Sequence, residues 1–405
     1  MQLVGPFSQL LTFRKVSLNG PLKEENLEII QHAGVLMSDG KIVQVGPYDS
    51  LKKQAVTFHE INGPATALPG FIDCHTHLVW GGSRAMDFEK RNSGWDYQKI
   101  LSEGGGIHDT VAKTRQASHT ELIQLLHDRV DRHMKAGITT IEVKSGYGLN
   151  PREEIRLLEI IRQVNRDHVA DLIPTFLGAH VCPPGTTRHD YLDTLITEVF
   201  PLLISENLAH RIDIFLEEEA FPVALAQNYL DKASRHGLDI TTHAGQFSPE
   251  GVHLAVAMNA RSADHLETIG DKEIQLLAHS PTTAVALPGA SLGLGMPFAP
   301  ARKLLDAGAC LAIATDWNPG SAPMGNLLVQ AAVLATHQKL TAAETLAALT
   351  VRAAQALGLP DRGVLQPGKL ADMVIFPTSD YREILYQMGG LLPSETWKNG
   401  FLFSA

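Results

Sequence analysis

The sequence predicts a (β/α)8 TIM barrel joined to a small composite β-sandwich domain formed by both chain termini. Three observations predict it. Eight strand-like apolar runs alternate with amphipathic helices between residues 70 and 320. Most of those runs are nearly continuous rather than alternating, as expected of parallel strands buried on both faces. Short alternating segments of similar length stand at the two ends of the chain, outside the barrel pattern. The expected division is 1–65 plus 365–405 for the composite β domain and 66–364 for the barrel, and 405 residues suit that arrangement.

Taken in order, residues 32–47 (HAGVLMSDGKIVQVGP) read as a hairpin turning at Asp39-Gly40. The barrel strands are expected at 70–77, 137–146, 169–180, 211–217, 238–245, 260–267, 282–289 and 310–320. Between them, Asn150 before Pro151 and Glu153 reads as an N-cap with proline at the first helical position, and Ser248-Pro249 repeats that pattern. Thr341 with Glu344 is a capping-box signature. Gly237 and Gly308 follow helical stretches, where a left-handed residue often ends the helix. Residues 365–377 and 394–403 return to the alternating pattern of the first 65.

Composition narrows the function. Charged residues make up 19% and the net charge is −10, which argues against a large nucleic-acid footprint. No apolar run is long enough for a membrane helix, so no membrane partner is expected. The first twenty residues lack the basic start and apolar core of a signal peptide. Three cysteines, Cys74, Cys182 and Cys310, are an odd and sparse set that suits a reducing cytoplasm.

In such barrels the chemistry gathers at the C-terminal ends of the strands. The first strand ends at His75 and His77, the third at His180, the fifth at His243, the sixth at Asp264-His265, and the eighth at Asp316 with Asn318 beyond it. Residues two apart on a strand point the same way, so His75 and His77 can face the interior together and bind one metal ion. His243 and Asp316 would complete the ligands and leave room for water. Imidazoles with a carboxylate suit Zn2+ and Fe2+ alike. Arg84 follows the metal strand in a Gly-rich loop, where ligand contacts concentrate. Lys144 reads as a charge partner for Glu217, Glu218 and Glu219; Tyr147 reads equally as substrate contact or packing; His108 reads as structural, beside glycines that suit a mobile lid.

The stretches LPGFIDCHTH (68–77) and LQPGKLADMVIF (365–376), with CHTHLVWGGSRAMDFEKR, EGGGIHDTV, EVKSGYGL, FLGAH and ATDWNPGSAP, resemble the amidohydrolase superfamily over nearly the whole chain. The resemblance implies hydrolysis of a cyclic amide, that of 4-imidazolone-5-propanoate, to N-formimidoyl-L-glutamate in histidine degradation, by a cytoplasmic homodimer. It implies one metal ion, zinc or iron, on His75, His77, His243 and Asp316. It places Arg84, Tyr97, Tyr147, His180 and Asn318 on the substrate, with the backbone of Gly320 and Ser321 nearby and His265 beside the metal-bound water. Arg84 is then the natural partner of the propionate carboxylate or, alternatively, of the ring carbonyl.

The fourth strand ends in LEEEAF, without the bridging lysine of two-metal relatives, although Glu217 is a carboxylate that could bridge. One departure stands out. Where several relatives carry Glu three residues after the fifth-strand histidine, this chain has Gln246, which cannot transfer a proton and is read as binding the substrate ring. Proton transfer then falls to His265, His180 or Asp316. Two competing readings are a ring deaminase, disfavoured by Gln246, and a non-catalytic scaffold, disfavoured by the complete ligand set.

Overall fold

In the computed structural model, which describes residues 1–95, 99–100 and 103–404, five strands precede the barrel. They are β1 (Gln2–Leu11), β2 (Ile29–Ser38), β3 (Lys41–Pro47), β4 (Thr57–Glu60) and β5 (Thr66–Pro69). The barrel strands are β6 (Phe71–Asp73), β7 (Ile138–Lys144), β8 (Asp171–Ala179), β9 (Arg211–Ile214), β10 (Asp239–Ala244), β11 (Ser262–His265), β12 (Thr283–Ala286) and β13 (Leu311–Ile313). After them come β14 (Met373–Phe376), β15 (Glu395–Lys398) and β16 (Phe401–Leu402).

The two chain ends share one mixed sheet in the order β16-β15-β14-β5-β1-β2-β3, with β4 beside β1. Its seam is the antiparallel pair of β14 and β5, where Met373 faces Pro69 and Phe376 faces Thr66. Phe7, Val35, Met373, Ile375 and Trp397 pack a small core from both termini. The β2–β3 hairpin turns at Asp39 (φ 52°) and Gly40 (φ 75°), a pair of left-handed residues whose twist matches the strands. Asn399 and Gly400 repeat that geometry between β15 and β16.

Strands β6 to β13 lie side by side in sequence order, and every described pairing among them is parallel. Polar groups close the ring between its first and last strands. The Asp73 carboxylate on β6 accepts from the Thr315 amide (3.0 Å) and hydroxyl (2.6 Å), and from His133 Nε2 (3.0 Å) on the helix His119–Lys135. Immediately above, the Asp316 amide donates to the His75 carbonyl and the His77 amide to the Trp317 carbonyl, both at 3.0 Å. Side-chain alternation decides what fills the inside. Ile141 and Val143 join the main apolar core, whereas Glu142 and Lys144 point into the barrel.

Helix ends follow the sequence signals with one exception. The Asn150 side chain accepts from the Glu153 amide, Thr341 and Glu344 form a reciprocal box, and Gly237 and Gly308 take positive φ. Ser248 does not cap its helix. The helix starts at Glu250 with Pro249 as the N-cap, because the Ser248 hydroxyl is engaged by Glu217 (2.7 Å). No described helix is long and apolar enough to cross a membrane.

Candidate metal centre and its cleft

His75 and His77 lie just past the end of β6, on the segment that the Trp317 backbone holds. His243 is on β10 and Asp316 follows β13. Their side chains meet at one point above the barrel. His77 Nε2 is 3.3 Å from His243 Nε2 and 3.3 Å from Asp316 Oδ1, and His75 Nε2 is 3.5 Å from the same oxygen. All four residues are buried.

The outer ring atoms determine what the inner ones present. His75 Nδ1 donates to Asp264 Oδ2 (2.6 Å), and His243 Nδ1 lies 2.8 Å from Asp213 Oδ2. Asp264 holds a proton on His75 Nδ1, and the Asp213 charge beside His243 Nδ1 favours the same tautomer there, which turns each Nε2 to the centre. Burial keeps His77 well below its ordinary pKa and, against the pull of Asp213, lowers His243 to about 4. Two neutral imidazoles therefore face each other through Nε2, beside an ionised Asp316. His75 Nε2 makes no hydrogen bond of good geometry among the described residues. Burial and the Lys144 charge oppose a proton on His75, yet Asp264 and Asp316 outweigh them and raise it to about 9, which measures how strongly this spot attracts positive charge. Three imidazole nitrogens and a carboxylate oxygen that converge on one buried point are a donor set suited to a cation. His75, His77 and His243 can hold a metal ion.

A buried lysine supports this arrangement from below. Lys144 Nζ lies 2.7 Å from Glu142 Oε1 and 2.9 Å from Asp213 Oδ2, all three groups being fully buried. Glu142 Oε2 accepts from the Thr76 amide (3.0 Å), between the two histidines, while Asp213 orients His243. One ammonium thus fixes both arms of the cluster. Its partners are not Glu217–Glu219, as the sequence reading has it, because Glu142 lies two residues away on the same strand face. Lys144→Met should weaken metal affinity by about 10–100-fold, the usual effect of losing an outer partner. It should also destabilise the fold by about 3–5 kcal/mol, through the buried carboxylates left behind. Chelator competition and denaturant unfolding measure the two effects, and unchanged affinity would remove Lys144 from this role.

The cluster forms the floor of a cleft of about 1430 Å3 lined by Arg84, Tyr147, His180, Gln246 and His265, and by Asp316, Asn318, Gly320 and Ser321. Tyr97 lies outside the described residues. His180 Nδ1 donates to the Gly146 carbonyl (3.0 Å), so its Nε2 is an acceptor, and its ring stacks on His77 at 5.3 Å. Burial and the neighbouring His243 lower it to about 3. Gly146 sits at φ 115° with His180 and Leu177 around the place of a side chain. The loop carrying Tyr147 is held by the buried Glu154, which accepts from the amides of Gly146, Gly148 and Leu149 at 2.7–2.8 Å.

On the opposite side, Arg84 Nε donates to Asp87 Oδ2 (2.9 Å), and its guanidinium packs so closely on Gly320 that a Cβ there would lie 2.3 Å from it. The amides of Gly320 and Ser321 both donate to Asn318 Oδ1 (2.8 Å), so Asn318 organises that loop. The Ser321 hydroxyl reaches Asp316 Oδ2 (3.3 Å). The Gln246 side chain makes no hydrogen bond among the described residues and lines the cleft. Glu217 accepts from the amides of Phe247 (2.9 Å) and Ser248 (3.3 Å), and so braces the loop after Gln246. His265 (φ 92°) and Asp316 (φ 50°) both hold left-handed backbone that bulky residues avoid, a strain that gathers at functional positions. His265 Nδ1 is 3.4 Å from Glu267 Oε1, and despite burial the Glu267 charge raises its pKa. His108 is exposed at the mouth of the cleft.

Sequence reasoning missed Glu142, Asp213 and Glu267 altogether and gave Asp264 no role. The available signal was a charged residue inside an otherwise apolar strand, in RIDIF and GITTIEVK, since a buried charge must find a partner.

The amidohydrolase family's sequence model matches residues 84–400. The imidazolonepropionase of Deinococcus radiodurans is 41% identical over 394 residues, covering 97% of each chain. That of Bdellovibrio bacteriovorus is 40% identical over 376 residues, covering 91% of this chain and 88% of its own. A solved adenosine deaminase from Xanthomonas campestris with bound zinc superposes with a TM-score of 0.75 at 17% identity, over 99% of this chain and 92% of that one, a likeness of fold alone. With relatives this similar over nearly its full length, the chain belongs to the imidazolonepropionase family of amidohydrolases.

Proposed function

We propose that the protein hydrolyses the lactam C–N bond of 4-imidazolone-5-propanoate to give N-formimidoyl-L-glutamate in histidine degradation. One metal ion, zinc or iron, would be held by His75, His77, His243 and Asp316. The observation that carries this reading is the convergence of three imidazole nitrogens and one carboxylate at the floor of a cleft. A cation there supplies Lewis-acid chemistry, activating water at near-neutral pH and polarising a carbonyl.

The chain's own residues do the rest. Water adds to the ring carbonyl carbon, and its proton passes to Asp316 or His265, which flank the cluster at the cleft surface. The same groups return a proton to the ring nitrogen as the C–N bond breaks, so that nitrogen leaves neutral as the end of the formimidoyl group. The carbonyl carbon becomes a carboxylate. His180, kept neutral, offers Nε2 as an acceptor for a ring N–H. Gln246 offers an amide to the ring, both donor and acceptor but no proton carrier. With Nε committed to Asp87, the terminal nitrogens of Arg84 remain for a substrate oxygen. Tyr147, Asn318 and the Gly320–Ser321 loop wall the substrate, and Tyr97 is assigned to substrate binding from the family resemblance alone.

The remaining expectations stand as part of this reading. The enzyme works in the cytoplasm as a homodimer, with a catalytic barrel over 66–364 and a composite β domain over 1–65 and 365–405. The test is direct: metal-loaded protein is mixed with imidazolone propionate while loss of the ring chromophore and release of ammonia are followed. Chromophore loss without ammonia is the expected result. Ammonia release would indicate a deaminase, and no change with a full metal complement would overturn the proposal.

A further inference from the structure

Three arginines line the cleft, and their charges are compensated differently. Arg84 is paired with Asp87, and Arg188 donates to the Glu219 carbonyl (2.8 Å). The Arg91 side chain has neither a hydrogen bond nor an ion pair among the described residues; its guanidinium lies over the Phe88 ring, 6.0 Å from the ring centre. It is nonetheless half-buried.

Its place follows from the sequence. Arg84 caps the helix Ala85–Asn92, and residues 84, 87 and 91 recur at the three- and four-residue spacing that puts them on one face. That face meets the cleft, while Met86 and Phe88 are exposed. Side chains on a helix lean back toward its N-terminus, which brings Arg91 over Phe88 and toward Arg84. The two cations feel each other: burial first, and then the Arg84 charge, lower the Arg91 pKa. Asp87 carries one negative charge for two guanidiniums, and its Oδ2 already accepts from Arg84 Nε and the Gly106 amide. Glu217, Glu218 and Glu219 lie along the cleft as well, so an anion that entered it would meet charges of both signs and orient by them.

We infer that Arg91 is the specificity residue for the anionic arm of the substrate: it takes the carboxylate of a ring-bearing acid, and leaves Arg84 to an oxygen of the ring. The inference rests on the reaction proposed above and adds to it which side chain reads the acid. A half-buried guanidinium that shares one carboxylate with a second arginine and is hydrogen-bonded to none is undercompensated until an anion arrives, and its planar fork fits a carboxylate in two hydrogen bonds.

The experiment uses metal-loaded wild type, Arg91→Gln and Arg91→Lys, with imidazole-4-propanoate and its carboxamide as ring-bearing probes that differ only in charge. Calorimetry gives both affinities, and turnover of imidazolone propionate is measured alongside. Arg91→Gln should lose about 10–100-fold in affinity for the acid, the range for hydrogen bonds to a charged group, and keep the amide within about 2-fold. Arg91→Lys should recover part of the loss, and KM should rise with little change in kcat. An acid-to-amide ratio equal in wild type and Arg91→Gln, with metal content and thermal unfolding unaltered, would overturn the inference. If wild type discriminates acid from amide through Arg91 but does not turn over imidazolone propionate, the reaction assignment fails and the anion site stands. Wild-type binding of neither probe would overturn both.

Discussion

His75→Ala loses its metal and, with it, at least about 10^3-fold in turnover, since a catalytic metal is worth several kcal/mol at the transition state. His75 Nε2 is a ligand atom left with no hydrogen-bond partner among the described residues. Its ring is fixed from outside by Asp264, so the site is built before any ion arrives. Removing the ring takes away one of four ligands and leaves the Asp264 carboxylate fully buried with only the Thr241 hydroxyl at 3.2 Å. The variant should therefore be less stable by about 3–5 kcal/mol, as when one partner of a buried pair is removed. The barrel should still fold, because the strand ladder and the Asp73–Thr315–His133 closure lie below the ligand. Metal analysis, circular dichroism and turnover on one preparation decide the matter. A full metal equivalent together with wild-type rate would remove His75 from the site.

The barrel was readable because its strands had to be apolar on both sides, and that composition survives without any knowledge of pairing. The same logic exposed His180, His243 and Asp316, polar groups that interrupt such runs at their C-terminal ends. The supporting residues were harder to see. Asp213 and Glu142 lie within strands, where a lone charge in the sequence does not name its partner. Lys144 found Glu142 and Asp213 inside the barrel rather than the conspicuous acidic run at 217–219. Glu217 itself turns inward to brace residues 247 and 248, which also displaced the expected Ser248 cap. The left-handed backbone at His265 and Asp316 has no sequence signature either. Aspartate and histidine enter that region more readily than most side chains, but neither residue type marks it as glycine does.

His265→Asn should lower turnover by about 10^2–10^4-fold with metal retained, the range for lost acid–base assistance. His265 is buried at the cleft floor beside the cluster, its ring centre 5.2 Å from that of His243. The Glu267 carboxylate raises its affinity for a proton against the effect of burial, so a proton taken from water has a counter-charge waiting behind it. Gln246 strengthens the expectation, because its amide lines the cleft and offers the reaction no proton. Asp316 is the competitor, yet its oxygens already face His75 and His77 on one side and the Ser321 hydroxyl on the other. Those histidines hold it well below the ordinary carboxylate range despite its burial, which makes it a weak base. The paired variant Gln246→Glu places a carboxylate on the cleft wall near the cluster. It should change substrate affinity and the pH–rate profile without abolishing turnover, and in the His265→Asn background it should restore part of the lost rate. Asparagine at 265 keeps a polar group of modest size, so packing alone does not explain a loss of that magnitude. If His265→Asn with confirmed metal content turns over near the wild-type rate and its pH–rate profile is unmoved, Asp316 carries the proton alone and His265 only packs beside the cluster.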